Sequence, residues 1–261
     1  MKIAITGKGG TGKSTITALM ARVIRDKKDS VLLVDADPDM NLAAILGIPE
    51  DRKITPIIEL KELISERTGV PSGQGAPLFK MNPRVEDIPD KYCVSSNGIK
   101  LIVMGTTIKG GGGCSCPENA FLKSLLSHMM LSRKEWVIMD MEAGIEHLGR
   151  GTAIGVDHMM VVVEPNKTSI ATAHRINKLS EDLHIKNVHV IANKIYNQAQ
   201  KEFVKQQVEK MNIIGFIEYS DIIAGISLGN ILPMDINTDD DSLEQIRKII
   251  NSISDDYHET H

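Results

Sequence analysis

The residues Gly7-Lys8-Gly9-Gly10-Thr11-Gly12-Lys13-Ser14-Thr15 bring glycines, two lysines and three hydroxyls together, directly behind the apolar run Ile3-Ala4-Ile5. This combination suits the cradling of a phosphate chain. Gly9, Gly10 and Gly12 leave successive backbone N–H groups free to turn inward, Lys13 reaches the β and γ oxygens, and the Ser14 hydroxyl is placed to ligate Mg²⁺. Ile16 to Arg25 carry a helical pattern. The positive end of that helix would face the same anion, with Thr11 and Thr15 completing the binding set.

Two acidic clusters and one pair of thiols add further chemistry. Asp35-Ala36-Asp37-Pro38-Asp39 follows one apolar run and Asp140-Met141-Glu142-Ala143-Gly144 follows another. Carboxylates beside a phosphate-bound Mg²⁺ can orient water or hold the metal, because phosphoryl transfer asks a protein mainly for positioning and charge stabilisation. For Asp35 and Asp39 the alternative is turn formation and helix capping, the preferred reading for Asp39. The third feature is Lys109-Gly110-Gly111-Gly112-Gly113-Cys114-Ser115-Cys116-Pro117. Thiols two residues apart on a glycine-rich loop before a helix N-terminus favour the thiolate. One chain supplies only two such ligands, whereas a two-fold dimer supplies four, enough for Zn²⁺, Ni²⁺ or an iron–sulfur cluster. Two ordinary loop cysteines are the alternative, and Cys93 reads as a small hydrophobe.

These groups need a scaffold that brings them to one edge. Continuous apolar runs recur at Val31 to Val34, Leu101 to Met104, Trp136 to Met139, Met159 to Val163, Val188 to Ala192 and Ile213 to Phe216. Runs that do not alternate fit strands buried on both faces. Helical patterns at 14–27, 56–67, 117–131, 168–183, 199–211 and 242–253 lie between and after them. The expected fold is α/β: a P-loop NTPase with a mostly parallel twisted sheet, helices on both faces, and ligands at the carboxyl ends of the strands. The stretch from Val70 to Lys100 reads as irregular and ends in Ser95-Ser96-Asn97-Gly98, a hairpin turn. One domain over 1–261 is expected, without an internal repeat.

Composition narrows the class. The chain of 261 residues carries a net charge of −4 and has no dense Lys/Arg run, so the footprint of nonspecific nucleic-acid binding is missing. A strand at the very N-terminus leaves no signal peptide, and no apolar stretch reaches spanning length, so a cytoplasmic protein is expected. Three cysteines without a secretion signal argue for free thiols or metal ligands. In the last helix Leu243, Ile246, Ile249, Ile250 and Ile253 form one stripe flanked by acids, which suits core packing better than an anionic membrane. His258 and His261 read as a solvated end.

The pattern G-K-G-G-T-G-K-S-T resembles the deviant Walker A loop of the MinD, ParA and nitrogenase iron protein superfamily. The resemblance implies that Lys8 crosses a dimer interface to the partner's nucleotide, where the residues alone allow a solvated loop charge. It further implies that Asp37 orients the attacking water, that Asp140 is the Walker B aspartate, and that Asn193-Lys194 lies where the superfamily reads adenine. An amide offers both donor and acceptor to that base, favouring ATP over GTP, with a strand-end turn as the alternative.

The glycine-rich C-x-C and D-M-E-A-G-I-E-H-L-x-R-G-T extend the resemblance over essentially the whole chain, to the CooC-type nickel-insertion ATPases of carbon monoxide dehydrogenase. That family implies an ATP-dependent homodimer using ATP/ADP and Mg²⁺. It also implies that Cys114 and Cys116 of two chains bind nickel, with zinc as a possible substitute, and that the client is carbon monoxide dehydrogenase or a related nickel enzyme. The accessory ATPase of acetyl-CoA synthase shares the layout, and a ParA- or MinD-type switch is the remaining alternative. Nitrogenase-type iron proteins draw one cysteine from behind the second switch, where residues 141–156 here hold none.

Overall fold

Eight strands form one sheet in the order β3-β4-β2-β5-β1-β6-β7-β8. The computed structural model describes residues 1–70, 79–105, 117–143 and 150–260. The strands are β1 (Lys2–Gly7), β2 (Val31–Asp35), β3 (Val94–Ser96), β4 (Ile99–Val103), β5 (Trp136–Asp140), β6 (His158–Val163), β7 (Val188–Ile195) and β8 (Asn212–Glu218). All neighbours pair in parallel except β3 with β4. That one antiparallel pair turns through Asn97 and Gly98, both at positive φ (49° and 80°), as a two-residue hairpin of this hand requires.

Because side chains alternate along a strand, the strands other than β3 feed two cores. On β2, Leu32 and Val34 face one core while Val31 and Leu33 face the other. The second core is closed by α1 (Lys13–Asp26), α2 (Leu42–Ile45), α9 (Asp221–Ser227) and α10 (Asp241–Thr260), and the first by α3 (Lys61–Thr68), α4 (Ile88–Tyr92), α5 (Pro117–Ser132), α7 (Lys167–Asp182) and α8 (Gln198–Gln207). A single turn, α6 (Arg150–Ala153), precedes β6. Helices therefore cover both faces, as the apolar runs require. The stripe on α10, Leu243 to Ile253, is wholly buried, and Ile249 occupies the space where Gly215 of β8 has no side chain. Among the described residues no helix is long and apolar enough to cross a membrane.

Two local expectations need correction. The helix expected over 56–67 is a 3-10 turn at Ile57–Glu59 followed by α3. Pro56 holds an extended conformation and Leu60, at φ −76° and ψ 62°, interrupts the helical path. The irregular stretch after Val70 contains α4, started by Pro89 in its first turn.

Candidate nucleotide site

The phosphate loop joins the centre of the sheet to α1, and its turns depend on glycine at defined points. Gly7 sits at φ 148°, where a Cβ would run into the Val162 carbonyl of β6. Gly12 at φ 92° caps α1, and a Cβ there would lie 2.5 Å from Asn193 Nδ2. Side chains from the end of β7 hold the loop from outside. Asn193 Nδ2 donates to the Thr11 carbonyl at 2.8 Å, and Lys194 Nζ donates to the Gly10 carbonyl at 2.7 Å. Thr11 Oγ1 donates to the Lys8 carbonyl at 2.8 Å, closing the loop on itself.

Three carboxylates converge at the carboxyl ends of β2 and β5. Parallel register puts Asp35 directly beside Asp140, and Asp35, Asp37 and Asp140 are all buried. Asp35 is structural: its oxygens accept from Asp37 N at 3.3 Å and Leu42 N at 3.1 Å, which starts α2. Asp39 lies in the expected turn, which Met40 N closes by donating to the Asp37 carbonyl at 3.1 Å, and its own N–H donates to Asp37 Oδ1 at 3.1 Å; it does not cap α2. Asp37 Oδ2 faces Lys13 Nζ at 3.6 Å, both groups at most a tenth exposed. Burial pushes Asp35 up to about 7 against the two backbone donors that favour its charge. Burial likewise pushes Asp140 to about 7, assisted by the charges of Asp35 and Asp37 and opposed by the Ser14 hydroxyl and Lys13.

Neither oxygen of Asp140 meets a hydrogen-bond donor at normal geometry among the described residues. A buried carboxylate left this way, with the Ser14 hydroxyl beside it, fits a hard cation that takes oxygen ligands, so the donor set matches Mg²⁺. Ser14 and Asp140 would hold it there, and it would supply positive charge against the phosphate oxygens.

The pocket in front of these groups has a volume of about 550 Å³ and is lined by Gly9, Gly10, Gly12, Lys13, Ser14, Thr15, Asp37 and Lys194 of the expected set. Its side walls went unread in the sequence. One is Asn41, Ala44 and Ile45 of the α2 turn; the other is Ile226, Ser227 and Gly229 at the end of α9. Ser227 Oγ lies 3.0 Å from Thr15 Oγ1, tying α9 to the first turn of α1.

The CobQ/CobB/MinD/ParA nucleotide binding domain (CbiA) is matched over residues 2–232. The chain belongs to this family. Carbon monoxide dehydrogenase accessory protein CooC of Rhodospirillum rubrum is 44% identical over 240 residues, covering 89% of this chain and 91% of that protein. An uncharacterised ATP-binding protein of Methanocaldococcus jannaschii is 43% identical, covering 97% of each. A chain of the MinC:MinD cell division complex of Aquifex aeolicus shares the fold, with a TM-score of 0.70 at 23% identity over 97% of this chain and 96% of that one. This member of the CobQ/CobB/MinD/ParA family is therefore an ATPase, with the P-loop fold read from its sequence, and a relative of CooC.

The remaining expected residues among those described lie outside the lining of the pocket. Asn193 is 2% exposed, and its Nδ2 is given to the Thr11 carbonyl of the loop beneath the pocket. Lys8 is exposed and donates from Nζ to Thr168 Oγ1 at 2.7 Å, on the first turn of α7. Cys93 is half-buried against the first core, and burial raises its thiol. Cys114 and Cys116 lie outside the described residues. Among the described residues no group of three or more His, Cys, Asp or Glu side chains is arranged to hold a metal.

Proposed function

We propose that this protein is a cytoplasmic ATP-dependent metallochaperone that carries nickel for carbon monoxide dehydrogenase or a related nickel enzyme. The observation that carries the reading is the 44% identity to CooC over nearly the whole length of both proteins, joined to the C-x-C at Cys114 and Cys116. In this reading 1–261 works as one ATPase domain and two copies associate around ATP and Mg²⁺. Lys13 neutralises the phosphates, Ser14 and Asp140 hold the Mg²⁺, Asp37 orients the attacking water, and Lys8 reaches the partner's nucleotide. The paired loops then present four thiolates to one nickel ion, the cargo. Soft thiolates bind Zn²⁺ as well, so geometry and supply select between the two metals.

Metal bound per protomer, measured anaerobically in the apo, ADP and ATP-analogue states, tests this. Half an equivalent per protomer is expected, lost in Cys114→Ser and Cys116→Ser and kept in Cys93→Ser. A full equivalent on a monomer, or retention without either loop cysteine, refutes the shared site.

A further inference from the structure

Glu164 follows β6, outside the residues that line the pocket, yet both of its oxygens are engaged. Oε1 accepts from Lys194 Nζ at 2.6 Å and Oε2 accepts from Asn166 Nδ2 at 3.1 Å. Asn166 is itself fixed, because its Oδ1 caps α7 by accepting from Ser169 N at 2.9 Å. The Glu164 backbone N–H donates to Ser169 Oγ at 3.0 Å, so the carboxylate is anchored at both ends. Thr168 Oγ1 donates to the same Asn166 Oδ1 and accepts from Lys8. A chain of contacts thus begins on the phosphate loop at Lys8, passes through the N-terminal turn of α7 to Glu164, and returns to the loop through Lys194 at the Gly10 carbonyl.

Lys194 shows why this matters. Its backbone sits at φ 57°, a left-handed conformation uncommon for a residue with a side chain, beside an irregularity in the β7–β8 ladder. That conformation throws the ammonium back across the loop, where the carboxylate and the Gly10 carbonyl hold it together. In a trans peptide the C=O and the following N–H point in opposite directions. Holding the Gly10 and Thr11 carbonyls from outside, by Lys194 and Asn193, therefore fixes two successive peptide planes: the Thr11 N–H of the first donates to the Lys8 carbonyl at 3.3 Å and closes the turn of the loop, and the Gly12 N–H of the second points away from Asn193. The Lys194–Glu164 pair is 43% and 25% exposed, so it adds little to folding stability. Its effect lies in aim.

We propose that Glu164 is a positioning residue for nucleotide binding: it fixes the Lys194 ammonium on the Gly10 carbonyl and so keeps the phosphate loop in its anion-binding shape. The loop cradles phosphates in the ground state and the transition state alike, so loss of this support weakens both equally. Affinity falls and turnover stays.

The test is a cycle of Glu164→Ala, Glu164→Gln, Lys194→Met and Glu164→Ala/Lys194→Met, with the Kd for Mg·ADP by calorimetry and steady-state ATP hydrolysis. Glu164→Ala is expected to weaken Mg·ADP and raise the KM for ATP by about tenfold each, with kcat within about twofold. Glu164→Gln, which keeps an oxygen acceptor, recovers most of the loss. The double variant binds no more weakly than Lys194→Met alone, since the carboxylate acts only through the lysine. The proposal is overturned if folded Glu164→Ala binds ADP like wild type, if kcat falls while KM holds, or if the two losses multiply. Should Glu164→Ala fail to fold, Glu164→Gln takes its place in the cycle. A loss of about two- to threefold that vanishes in the Lys194→Met background then supports the role, and a multiplicative loss refutes it.

Discussion

Asp140→Asn should make the nucleotide-free protein more stable at pH 8 while removing the Mg²⁺-dependent part of its response to Mg·ADP. The folded state holds the Asp140 carboxyl at about 7 against an ordinary value of 3.8, chiefly through burial. Below about pH 4 both folded and unfolded chains keep the proton, and the group makes no difference. Between about pH 4 and 7 only the folded chain keeps it, so stability falls as pH rises, and above about 7 the whole penalty is present. Roughly three pKa units at 1.36 kcal/mol each give an upper bound of about 4 kcal/mol. A buried amide with no partner takes back about 1–3 kcal/mol. The net gain is then at most about 1–3 kcal/mol, a rise of about 2–12 °C in Tm for a chain of this size. Thermal unfolding at pH 5.5 and pH 8, with and without Mg·ADP, measures it. In wild type the ligand should raise Tm by mass action, and in the variant the Mg²⁺-dependent part of that rise should vanish. An apo Asp140→Asn protein no more stable than wild type at pH 8, or one that keeps the full Mg²⁺-dependent shift, would falsify the account of this carboxylate as a partner of Mg²⁺.

Two further perturbations separate binding from turnover and association. Lys13→Ala removes the buried counter-charge to phosphate and should lower both ATP affinity and hydrolysis, whereas Asp37→Asn should spare binding and slow hydrolysis by about 10²-fold or more. Wild-type turnover in Asp37→Asn sinks the water-orienting role. Lys8 is tied to Thr168 in the single chain, so Thr168→Val should release it and tighten association with an ATP analogue several-fold, while Lys8→Ala should abolish that association. Light scattering reads both, and dimerisation of Lys8→Ala equal to wild type returns Lys8 to a solvated loop charge.

The parts of the site legible in the sequence were those with a strong local signature. The phosphate loop is contiguous and flanked by a strand and a helix, and the carboxylates sit where apolar runs stop. Asn97-Gly98 announced the hairpin because few other pairs tolerate two positive φ angles. The pocket's side walls escaped because α2 spans four residues and α9 seven, too few to display a helical period. Asn193 was read by its donor and acceptor capacity, yet burial under Gly12 decides what that amide meets. Asp39 looked like the cap of α2, but the Asp35 carboxylate reaches Leu42 from inside the sheet, a contact seven residues away in sequence. Glu164 gave no signal, since its partners lie 30 residues away on β7 and two residues away across a cap.

The position of β1 between β5 and β6 divides the site into two halves with different work. On the β5 and β2 side stand Asp140 and Asp37, which in the proposed function serve Mg²⁺ and the attacking water, with Asp35 bracing the turn beside them. On the β6 and β7 side stand Glu164, Asn193 and Lys194, which hold the loop from outside. The sheet thus acts as a bench with a vice on one side and a tool on the other. Substitutions on the vice side should read out in how tightly nucleotide is held, and a substitution of Asp37 on the tool side in how fast it is cut. The chain leaves β4 at Val103, beside β2 on the tool side, and the segment carrying Cys114 and Cys116 starts there. Under the proposed function, a cargo carried by that segment follows a strand that is two removed from Asp140 on β5 and five removed from Asn193 on β7, so hydrolysis has a shorter route to it than nucleotide capture has.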